Sequence, residues 1–220
     1  MKLKGFTLAE VLITLTLIGV VATLTLPALM INVQKQQIGP ALLKAIGILD
    51  TANALVMNER DLVTFRAGCG NAYGACFGTW VARQMTATET GLIEYTNGGE
   101  AFEGLADTTP YLSKNGFIYY VGGDEQTVQV DGEDPAADAF RYWNVYIDTN
   151  GAKGPNILGR DLFLVVVDSD EGKVYAKGSN IDPSSSEGEK WGTLCTGEPT
   201  DATACAGSVL DNGGKIMYEW

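Results

Sequence analysis

The sequence predicts an α+β protein: a long N-terminal helix, membrane-spanning in its first half, whose second half packs on an antiparallel β-sheet head. Three observations carry this. Val11–Gln34 is a run of 24 residues without a charge, where about 20 suffice to cross a bilayer core. Beyond it, apolar residues return at helical spacing as far as about Glu59. From about Arg60, glycine becomes frequent and short β-branched and aromatic runs appear between turn residues.

The N-terminus is taken first. Met1-Lys2-Leu3-Lys4-Gly5 is a short basic leader, Phe6 follows directly, and the lone acid Glu10 sits where the apolar helix begins. A buried acid at membrane depth costs about 2.5 kcal/mol or more on insertion scales, so it requires a reason. A secretory signal normally has an apolar stretch of about 7–15 residues ending in an A-x-A-like site. This run is longer and has no such site near its end. A plain single-pass anchor accounts for the length but not for the Gly-Phe junction or the acid.

Gly5-Phe6-Thr7-Leu8-Ala9-Glu10-Val11-Leu12-Ile13 closely resembles the class III signal of type IV prepilins and type II secretion pseudopilins. The close resemblance covers about residues 1–31. It implies cleavage after Gly5 by prepilin peptidase and methylation of the new N-terminal amine on Phe6. It implies a pilin-like fold and a structural role in a type IV pilus or a type II secretion pseudopilus. It also implies that Glu10 pairs with the amine of a neighbouring subunit. The expected partners are prepilin peptidase, other copies and related pilins, an inner-membrane assembly platform and membrane lipid. A helix in lipid satisfies its own backbone, so Glu10 is the group left to pair. A buried pair can specify register even where it adds no net stability.

Four segments follow: a leader over 1–5, a transmembrane and filament-core helix over 6–31, an amphipathic continuation over 32–59, and a head over 60–220. Lys2 and Lys4 precede the apolar run without a neighbouring acid. The N-terminus is therefore expected in the cytoplasm, with the head periplasmic or extracellular. Pro27 would be residue twenty-two of the mature chain, where the family commonly carries a proline and where a helix kinks. Gly39-Pro40 is a second punctuation mark, at which a new helical segment is expected to begin. After it Leu42, Ile46, Leu49 and Val56, widened by Ala45 and Ala52, form one apolar stripe.

In the head, strands are expected at Gly116–Val121, Thr127–Val130, Trp143–Ile147, Asp161–Val167, Lys173–Tyr175 and Lys215–Tyr218. Turns are expected at Asp168–Gly172 and Asp211–Gly214, and loops over 131–139 and 182–190. Roughly 160 residues suffice for a core of their own. Four cysteines, Cys69, Cys76, Cys195 and Cys205, lie on the non-cytoplasmic side, where disulfides persist. The simplest pairing is local, Cys69 with Cys76 and Cys195 with Cys205; the long-range pairings, which would clamp the head's start to its end, stay open. Zinc is disfavoured by the absence of histidine and of any C-x-x-C.

The segment Asp148–Asp161 resembles one that recurs in the heads of pilin-like proteins with this N-terminus. Some type II pseudopilins bind calcium in a head loop, which makes Asp148, Asn150, Asn156 and Asp161 candidate ligands; no other cofactor is expected. Turn formation is the competing reading, since Ala152 stands where an EF-hand loop wants an acid or amide. No enzyme is expected. There is no histidine for a nucleophile pair and no G-x-x-x-x-G-K-[ST] loop.

The net charge is −12; loss of Lys2 and Lys4 leaves 13 basic against 27 acidic residues, −14. That disfavours nucleic-acid binding. The alternative outside the filament class is a non-polymerising, single-pass membrane-anchored binding or adhesion module.

Overall fold

The computed structural model describes residues 5, 7–60, 76–97, 100–122, 142–168, 171–185, 190, 192, 195 and 202–218. Its contacts divide the chain into two units, Met1–Gln37 and Ile38–Trp220. Helix α1 spans Leu8–Glu59.

In the first unit α1 carries its apolar side chains outward. Leu12, Leu15, Ile18 and Leu24 are 56%, 61%, 63% and 75% exposed. An 18-residue window reaches a mean hydropathy of 2.2, and α1 is, among the described residues, the helix long and apolar enough to cross a membrane. Its hydroxyls are satisfied locally. Thr14, Thr16, Thr23 and Thr25 each donate to a carbonyl three or four residues back, as a helix in hydrocarbon requires.

In the second unit the same helix is buried along one stripe. Leu42, Ala45 and Leu49 are fully buried, and Ile38, Ile46, Ala52 and Val56 nearly so. They join one core with Tyr119, Val121, Val145, Ile147, Phe163, Val165 and Val167 from the sheet. The stripe is the one the periodicity predicts. The break expected at Gly39-Pro40 is absent, because α1 runs straight through both residues. Gly39 serves packing instead: a Cβ there would lie 2.0 Å from the Gly214 carbonyl oxygen, closer than any side chain tolerates.

A π-helical turn (Phe77–Val81) runs into α2 (Ala82–Gln84). The strands that follow are β1 (Thr88–Glu89), β2 (Thr96–Asn97), β3 (Glu100–Ala101), β4 (Thr108–Leu112), β5 (Ile118–Gly122), β6 (Tyr142–Asp148), β7 (Leu162–Asp168) and β8 (Val174–Ala176). The chain then forms α3 (Cys205–Asp211). Six strands make an antiparallel sheet in the order β1-β4-β5-β6-β7-β8, and β2 pairs β3 separately. The α+β class expected from the sequence is the class observed. Strand β7 is buried at every residue. Between β7 and β8 the Gly172 amide donates to the Asp168 carbonyl and the Asp168 amide to the Lys173 carbonyl, each at 2.9 Å, while residues 169–170 of the expected turn lie outside the described residues.

Two expectations fail and several elements were not foreseen. Lys215–Met217 forms no strand. It follows a Schellman turn in which Gly213 and Gly214, both at positive φ, donate to the Leu210 and Val209 carbonyls. The segment then docks by side chains, with Ile216 buried and the Tyr218 hydroxyl donating to the Gly159 carbonyl at 2.5 Å. Helix α3, which was not foreseen, is built from small residues whose fit is tertiary: a Cβ on Gly207 would lie 2.3 Å from the Ser179 nitrogen. Strand β4 was hidden by Pro110, a residue that demotes a strand by pattern. The expected strand Thr127–Val130 and loop 131–139 lie outside the described residues, as do 186–189 of the second loop.

Candidate functional site

The N-terminal site is small. Gly5 is exposed with nothing within 4 Å of where a Cβ would stand. Phe6 and the two leader lysines lie outside the described residues. The Thr7 carbonyl accepts the first helical bond, from the Val11 amide at 3.2 Å, so Thr7 is the N-cap of α1. The Thr7 amide and hydroxyl both donate to Glu10 Oε2, each at 2.9 Å. The Glu10 amide donates back to Thr7 Oγ1 at 3.3 Å. This is a capping box, which satisfies two orphan amides reciprocally. The Thr-x-x-Glu spacing that encodes it is present in the sequence, although the prepilin resemblance explains Glu10 without it. Pro27 lies inside α1 and is exposed.

The second candidate lies in the head, between β6 and β7. Asp148 closes β6 and Asp161 precedes β7; both are fully buried. Asp148 Oδ1 accepts from the Asn150 and Gly151 amides at 2.8 and 2.9 Å. Its Oδ2 accepts a short hydrogen bond from the Tyr95 hydroxyl, which also contacts the Tyr120 hydroxyl at 3.0 Å. Asp161 Oδ1 takes the Ile157 amide at 2.7 Å, and Oδ2 takes the Asn156 amide at 2.7 Å and the Asn150 side-chain amide at 3.3 Å.

Burial pushes the Asp148 carboxyl up to about 6 against the pull of these donors. Burial also raises Asp161. The Tyr95 phenol is raised too, first by burial and then by the Asp148 charge.

The fold therefore brings Asp148, Asn150, Asn156 and Asp161 together, but as a clamp on the loop. All four carboxylate oxygens already accept N–H or O–H donors, whereas calcium takes six to eight oxygens. Asn150 Oδ1 and Asn156 Oδ1 are buried without a hydrogen-bond partner, and two amide oxygens beside engaged carboxylates do not complete such a shell. Among the described residues no three acidic, cysteine or histidine side chains converge. The residues present do not fit a calcium cage.

What the clamp holds is clear from its neighbours. Asn156 takes a positive φ of 55°, and its carbonyl accepts from the Thr96 amide of β2 at 2.9 Å. Gly159 lies under the Cys195–Cys205 disulfide; a Cβ on it would stand 3.1 Å from the Cys205 sulfur. Cys76 is also disulfide-bonded, while Cys69 lies outside the described residues.

One apolar helix with an acid in its first turn, together with an antiparallel-sheet head, fits a membrane-anchored, pilin-like precursor. Residues 1–26 match the family model for the prokaryotic N-terminal methylation motif, so the chain carries the prepilin-type signature. That motif implies processing by prepilin peptidase and pilin assembly in general, and its family is structural rather than catalytic. No curated protein and no solved structure matches the chain.

Proposed function

We propose that this protein is a structural subunit of a type IV pilus-like or type II secretion pseudopilus filament, cleaved after Gly5 and methylated on Phe6. The observation that carries this reading is the methylation motif over residues 1–26, set on a helix whose apolar side chains are exposed through the first unit. In this reading the helix anchors the subunit in the inner membrane, with its N-terminus cytoplasmic and its head on the far side. Assembly moves the helix from lipid into a bundle of like helices, where the same apolar surface is covered by neighbours. Glu10 then pairs with the amine of an adjacent copy and sets the stagger between subunits.

The test is mass spectrometry of the N-terminal peptide and the intact chain from the native envelope. The expected result is a chain that begins at methylated Phe6. Retention of Met1–Gly5 would instead leave a single-pass anchored head and overturn the assembly reading.

A further inference from the structure

We propose that the end of the head at which the chain enters it is a docking surface for anionic lipid headgroups, formed by the exposed lysines Lys44, Lys114, Lys153 and Lys215. This rests on the membrane anchoring of the reading above, not on polymerisation.

The four lysines come from distant parts of the sequence, and the second unit gathers them. Lys44 lies on α1, its Nζ 5.9 Å from the centroid of the Phe117 ring. Phe117 closes the β4–β5 turn that carries Lys114, its carbonyl accepting the Ser113 amide at 2.9 Å. A Cβ on Gly151 would stand 3.0 Å from the Gly116 carbonyl oxygen of that turn. From there the Asn150 side-chain amide donates to the Gly154 carbonyl at 3.4 Å, across Lys153. Lys215 follows Gly214, where a Cβ would lie 2.8 Å from Cδ1 of Leu43, the neighbour of Lys44.

Among the described residues none of the four forms an ion pair. Asp148 and Asp161, at the same end, are buried and hold amides and the Tyr95 hydroxyl. Asp211 is half-buried and accepts the Asn180 amide. At the opposite end Met57 lies against Gly172, and there Lys173 is paired with Glu171 at 2.8 Å. An otherwise acidic chain thus turns four lysines to solvent together at one end.

The chain itself keeps that end near the bilayer. Ile38 opens the second unit four residues after Gln34, where the uncharged run ends, and four residues reach at most about 14 Å. Basic groups beside a bilayer are drawn to anionic lipid. The net charge of −12 repels acidic partners in solution, whereas tethering makes lipid contact an intramolecular event at high effective concentration.

The test uses the full-length chain in vesicles of phosphatidylglycerol or of phosphatidylcholine, with hydrogen–deuterium exchange read by mass spectrometry. Amides of 113–117 and 150–154 should exchange about threefold or more slowly on phosphatidylglycerol, since one lysine near an anionic surface is worth roughly a fivefold preference. The difference should vanish at 1 M salt, where the screening length is about 3 Å. It should vanish too when Lys44, Lys114, Lys153 and Lys215 are all changed to Gln, and persist in Lys173→Gln. Equal exchange on the two lipids, or a difference that survives the fourfold substitution, overturns the inference. Flotation with phosphatidylcholine vesicles reads the anchor separately. A chain that does not float there overturns the anchored reading, while one that floats without lipid-dependent protection overturns the lysine contact alone.

Discussion

Helix α1 contains two stretches with similar apolar content and opposite surroundings. Over Leu8–Val33 its large apolar side chains, half-buried Ile31 apart, are 42–78% exposed. Over Leu42–Val56 the stripe is buried in the head core. The difference lies in what each stretch meets. The second faces strands of its own chain, so its apolar residues are a folding signal. The first leaves its apolar side chains exposed within its own unit, and the proposed function assigns that surface to lipid or to other subunits. Apolar content alone therefore does not say whether a residue stabilises the monomer.

Substitution breaks the comparison most sharply. Leu49→Ala should destabilise the head by about 3 kcal/mol, the transfer loss plus the cavity left in a packed core. Leu17→Ala should leave head unfolding unchanged. Denaturant unfolding of the detergent-solubilised chain, followed by head tryptophan fluorescence, reads both. Equal effects would mean that the two stretches do not differ in the way their burial shows.

The next effect is electrostatic. Burial raises Asp148 to about 6, so the folded head retains a proton that the unfolded chain releases near pH 4. The protonated form favours the fold. Stability should be fullest below about pH 4 and fall as pH rises to about 6, by on the order of 2 kcal/mol. Asp161 is shifted the same way by burial and adds the same sign. Asp148→Asn should flatten that slope, as measured by thermal unfolding from pH 4 to 7. A slope of the opposite sign would mean that the donors around Asp148 outweigh its burial.

The smallest effect compares two glycines of the same helix. Gly39→Ala forces a Cβ into the Gly214 carbonyl and should cost about 1–3 kcal/mol in head stability. Gly19 has nothing within 4 Å of that position, and Gly19→Ala should leave the head unaffected. The same unfolding measurement separates them.

Legibility followed the range of the interactions. The uncharged span of the first unit could be read directly because it rests on local composition; the Thr7–Glu10 cap is equally local but went unread, since the prepilin resemblance already accounted for Glu10. The buried stripe and strands β5 to β8 could also be read, since β-branched and aromatic runs between turn residues were present. Strand β4 was missed because its Pro110 argues against a strand until Tyr120 is known to lie opposite it. The Asp148 loop was recognised as oxygen-rich, but not as a clamp. The deciding donor, Tyr95, lies 53 residues away.

The sequence by itself determined the processing signature, the uncharged span, the stripe and the positions of the main strands, because each rests on spacing within a few residues. Tertiary structure alone decided the sheet order, the helical state of Cys205–Asp211, the coil of Lys215–Met217 and the use of Gly39. These depend on which distant surfaces approach, and there the space left by an absent Cβ or the arrival of a remote hydroxyl outweighs local preference.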